Sequence, residues 1–153
     1  MASPRPNSSR KPKARSKRRE LMSRTGVVHG WDASVFVRAE SQHGARERKP
    51  MLIMELRGEL SEPVKKVSSF MLTVFAEAEP AVGAAEIPSV GSIISMRGSL
   101  DAVVQLADRE FQIAVAIAAA GRLASGHLCF QEPRYGSALI VSCSFDTRES
   151  DEE

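Results

Sequence analysis

The segment Asp108-Arg-Glu-Phe-Gln-Ile-Ala-Val-Ala-Ile-Ala-Ala-Ala-Gly121 decides the fold class, because it satisfies two periodicities at once. At a period of two, Phe111, Ile113, Val115 and Ile117 alternate with Gln112, Ala114, Ala116 and Ala118. The chain is then an all-β barrel or sandwich. At helical spacing, Phe111, Ala114, Val115 and Ala118 form one apolar stripe. Local signals favour the helix. Asp108 suits the N-cap, and Glu110 lies in the first turn, where a carboxylate meets the positive end of the helix dipole. Gly121 can adopt the left-handed conformation that ends a helix. The run Ala116-Ile-Ala-Ala-Ala120 is favourable in a helix and depleted in strands. A helix near residues 109–120, lying across a sheet, is expected.

On either side the pattern is that of strands. Val35–Ala39 is β-branched and aromatic, and Met51–Leu56 and Phe70–Ala76 alternate. Ile93–Met96 and Ala102–Leu106 are shorter, with Gly98 marking a turn or bulge between them. Thr25–Asp32 reads as a turn-rich lead-in and Ser41–Pro50 as an exposed polar connection. Gly58 and Pro63 end the second strand, and Glu77–Gly91, with Pro80, Gly83 and Pro88, is a loop. The last strands, within Gly126–Phe145, form a hairpin about Pro133-Arg-Tyr-Gly136. A turn centred between Arg134 and Tyr135 sets Phe130 opposite Leu139 and Leu128 opposite Val141. Cys143 and Phe145 continue that face. The expected fold is α+β: a single domain over residues 25–146, with a mainly antiparallel sheet of five to seven strands and one covering helix.

Charge is distributed unevenly. Residues 1–24 carry nine Lys/Arg and one acid, a net of +8, and the remainder carries −6. Residues 1–24 are expected to be a disordered basic tail and residues 147–153 an acidic one. Arg10, Lys11, Lys13, Arg15, Lys17, Arg18 and Arg19 form a candidate nucleic-acid or polyanion-binding arm, since each cation that neutralises a phosphate releases a counterion. No apolar run reaches the roughly 18 residues of a membrane-spanning helix, and the basic N-terminus lacks the apolar stretch of a secretory signal. A soluble protein without a membrane partner is expected, cytoplasmic or, in a eukaryotic source, nuclear.

Catalytic motifs are missing from the sequence. It holds no phosphate-binding glycine loop and no nucleophile elbow. The histidines His29, His43 and His127 and the cysteines Cys129 and Cys143 have no metal-ligand spacing. His127 and Cys129 are two residues apart on one strand face, the ordinary separation of neighbours. The hairpin register turns Cys129 and Cys143 to opposite faces, which disfavours a disulfide. Arg134 and Tyr135 at the hairpin tip, together with Trp31, are candidate partner-binding residues. The expectation is a non-enzymatic binding module without cofactor or metal. Its partner is nucleic acid through the basic arm or, alternatively, protein or a second copy through the C-terminal hairpin and a sheet edge.

Overall fold

β-Branched and aromatic residues recur from Leu21 onward, and the chain pairs them into strands far longer than their apolar cores. The computed structural model describes residues 19–42, 44–77 and 88–147. Their elements are β1 (Leu21–Gln42), β2 (Ala45–Val64), β3 (Val67–Glu77), β4 (Gly91–Ser95), β5 (Leu100–Ala107), α1 (Asp108–Ala119), β6 (Leu123–Gln131) and β7 (Ala138–Thr147). The strands form one mixed sheet in the order β1-β2-β3-β5-β4-β7-β6. Because β1 also pairs with β6, the sheet closes into a barrel. Only the β3–β5 pairing is parallel among the described residues.

The ambiguous segment is a helix, so the reading of residues 109–120 as a strand is set aside. α1 packs on β3 and β5 and buries Phe111, Ala114 and Ala118. Its N-cap is Ala107 rather than Asp108, which is the first helical residue. Ala107 has no side-chain acceptor. Instead Glu110 reaches back, and its Oε2 accepts the Ala107 N–H at 3.0 Å. At the other end Gly121 adopts φ 69°. There the Gly121 N–H donates to the Ala118 carbonyl (2.9 Å) and the Arg122 N–H to that of Ile117 (3.1 Å).

The core lies inside the ring. Met54, Leu56, Val74, Ile93, Leu100, Val104, Phe130 and Ile140 are fully buried there. Near the β1–β2 junction the ring has no room for side chains. A Cβ at Gly58 would overlap the Val27 carbonyl, and one at Gly26 would stand 2.5 Å from Phe70 Cε1. The Phe70 ring occupies the space that both glycines leave, so glycine here serves close approach rather than a turn.

Several boundaries differ from the sequence expectation. The basic tail does not extend to residue 24, because Leu21–Val27 pair with Gln131–Ser125 of β6. Thr25–Asp32 is strand, with a register shift between Val28 and Gly30 in place of a turn. Ser41–Pro50 is largely strand too, since Ser41 pairs with Arg46 and Gln42 with Ala45. β2 runs on through Gly58, and Pro63 sits where its pairing with β3 is irregular. The expected tails over 1–18 and 148–153, and the loop at 78–87, lie outside the described residues.

The C-terminal hairpin forms with a different register. Arg134 and Ser137 exchange backbone hydrogen bonds of 3.0 and 3.1 Å, which centres the turn between Tyr135 and Gly136. Both of those residues have positive φ, 54° and 75°. Phe130 pairs with Ile140 and Cys129 with Ser142, so Val141 is bulged out. The bulge switches the phase of β7. Ala138 and Ile140 are buried before it, and Cys143 and Phe145 pack on the core after it. Leu139 and Val141, expected in the core, are only half-buried.

Candidate functional site

β1 and β2 outrun the ring that contains them. β1 is held by β6 only over Leu21–Val27, and β2 meets β3 over Ile53–Glu59 and again at Val64. Beyond Ser34 and Ile53, each of the two strands has the other as its sole neighbour among the described residues. The eight rungs from Val35↔Leu52 to Gln42↔Ala45 form a two-stranded arm about 25 Å long. At its tip Gly44 adopts φ 80°.

Residues opposite one another in an antiparallel pair project to the same side. One face of the arm therefore carries Val35 with Leu52 and Val37 with Pro50, and the other carries Phe36 with Met51. Leu52, at the root, packs against the core, and the other apolar side chains of both faces stay largely exposed. Val35 is 70% exposed, Phe36 58%, Met51 48% and Val37 45%. An isolated two-stranded ribbon is marginal in water, and contiguous exposed apolar surface marks an interaction site. Where the arm leaves the ring, Phe36, Met51, Phe75 and Ala76 line a cleft rimmed by Arg38, Glu77 and Gln105. At the root, Arg57 Nη2 donates to Asp32 Oδ2 at 2.7 Å, and Glu55 Oε2 lies 3.8 Å from Arg57 Nη1.

The residues singled out in the sequence do not converge. Arg10, Lys11, Lys13, Arg15, Lys17 and Arg18 lie outside the described residues. Arg19 is half-buried and donates from Nη1 to the Ser137 carbonyl at 3.3 Å. Trp31 pairs with Leu56 and packs against the core. Arg134 and Tyr135 occupy the distant β6–β7 turn, where Tyr135 is fully exposed beside Ile94, Met96 and Arg97. The arm was missed in the sequence because its outer half reads as a polar connection. The signal available was a pair of apolar stretches, Val35-Phe-Val37 and Met51-Leu-Ile53, on either side of a segment with His43-Gly44 near its middle.

His127 Nδ1 and Thr25 Oγ1 are 2.9 Å apart, a link between β6 and β1. Cys129 and Cys143 are free thiols. Burial beside Leu128 and Phe145 pushes the Cys143 thiol up from 9.0 to about 12, far from a nucleophile's range. Among the described residues no three His, Cys, Asp or Glu side chains gather as a ligand set. No helix among these residues is long and apolar enough to cross a membrane. No protein family, no curated protein and no solved structure matches the chain.

Proposed function

We propose that the chain is a non-enzymatic binding module in which the ring is a scaffold and the arm is a protein-docking element. One observation carries this reading: apolar side chains stand exposed on both faces of a ribbon whose two strands have no other strand neighbour among the described residues. The ring satisfies its own strands by closing, so edge pairing is available on the arm rather than on the C-terminal hairpin. Affinity capture with the full chain, compared with a Val35→Glu/Phe36→Glu variant, tests it. The variant should keep the fold and lose the specifically retained proteins. An identical retained set would refute docking through the arm.

A second reading rests on charge. The +8 of residues 1–24 against a remainder of −6 supports contact with nucleic acid or another polyanion through Arg10–Arg19. Full-length protein should then bind DNA or RNA with an affinity that falls steeply with salt, and removal of residues 1–18 should abolish binding. Equal binding by both forms would rule this reading out.

A further inference from the structure

We infer that the β1 rim of the arm pairs with the same rim of a second copy of this chain, antiparallel about a two-fold axis through Val35. The inference rests on the docking role of the arm and names its occupant.

The two rims of the arm are not equivalent. β2 contributes Pro50, which has no N–H, and its outer half carries Arg46, Arg48 and Lys49. Proline and a dense cluster of charges, here Arg46, Glu47, Arg48 and Lys49 in succession, are features that blunt sheet edges against pairing. The β1 rim has neither. From Val28 to Gln42 it holds no proline, and Ala33-Ser-Val-Phe-Val37 carries no charge. Among the described residues, β1 has no neighbour on this side after Val27.

A strand run antiparallel against itself is self-complementary, as a two-fold interface demands. The charges then choose the register. With the axis at Val35, Val35 meets Val35, Val37 meets Ala33, and Arg38 meets Asp32 of the partner subunit, the last contact made twice by symmetry. Moving the axis to Phe36 would set Asp32 against the acidic position 40, and moving it to Ser34 would set Asp32 against Phe36. Of these three registers only the first places opposite charges together. Asp32 and Glu55 already flank Arg57 at 2.7 and 3.8 Å, so two carboxylates would receive two guanidiniums at each end. The paired arms make a four-stranded sheet, the size at which a ribbon becomes independently stable.

Light scattering on the full-length protein at micromolar concentration tests this. The expected mass is twice the 16.6 kDa of the chain. Arg38→Asp alone and Asp32→Arg alone should each weaken the dimer about tenfold or more, because each sets like charges opposite one another. Mixing the two variants should restore the doubled mass, since the mixed pair regains both opposite-charge contacts. If Asp32→Arg disturbs folding through Arg57, Arg38→Asp and the concentration-dependent slowing of amide exchange over Ala33–Val37 decide alone. A wild-type monomer, or a dimer indifferent to both variants, overturns the inference. The capture experiment then separates the two failures: arm-dependent retention would leave docking intact with a different protein partner, and arm-independent retention would remove both.

Discussion

At Gly58 a hydrogen in place of a methyl group lets β1 lie against β2 and lets Phe70 cover the junction. Gly58→Ala should therefore destabilise the protein by about 3 kcal/mol, read as a lowered midpoint of chemical unfolding. A wild-type midpoint would mean that the strands can separate there without cost. The glycine was visible in the sequence, but its role was not: a turn and a close approach use the same residue. Only the Val27 carbonyl and the Phe70 ring, distant in sequence, distinguish them. Cys143 gives a second test at this scale. With its thiol raised to about 12, it should be alkylated far more slowly at pH 8 than an ordinary cysteine. The folded state holds this proton more tightly than the unfolded chain does. The stability it contributes is therefore complete below pH 9 and declines as pH rises from 9 toward 12. Rapid labelling of Cys143 in folded protein would contradict its burial.

Among the elements, α1 was the most legible, because its decisive signals are local. The Ala-rich run, Glu110 and Gly121 act within one or two turns, and the structure displaced only the cap, from Asp108 to Ala107. Gly121→Ala should cost about 1 kcal/mol, since alanine must take the φ of 69° that closes the helix. No change in the thermal midpoint would mean that the terminal turn unwinds freely. The hairpin was legible in kind and not in register. Its apolar pattern fitted an unbroken ladder, whereas the Tyr135-Gly136 turn and the Val141 bulge each move the pairing by one residue. A bulge leaves little trace in alternation when both strand faces are partly apolar, as in Leu139-Ile-Val141. The arm was the least legible element. Its polar outer half acquires a strand register from pairing that begins at the ring, so local propensity could not announce it. Val35→Glu/Phe36→Glu should leave stability within about 0.5 kcal/mol of wild type, as for other exposed positions. A larger loss would show these side chains to be part of the core.

At the scale of the molecule, closing the ring and extending the arm are complementary. Every ring strand finds two neighbours, which removes the sheet edges through which a β-rich chain would otherwise associate indiscriminately. Among the described residues, β1 keeps a long open edge from Val28 outward along the ribbon, where apolar residues and a short uncharged run coincide. The sequence therefore disclosed a sheet, a helix and a polarised charge, while the placement of the exposed apolar residues emerged only from tertiary pairing. Photo-cross-linking through a reactive phenylalanine analogue at position 36 of the full-length protein, with position 71 on the outer face of β3 as control, tests the arm most directly. A discrete protein adduct at position 36 and none at position 71 is the expected result. No adduct at position 36, or equal adducts at both positions, would contradict an arm built for docking.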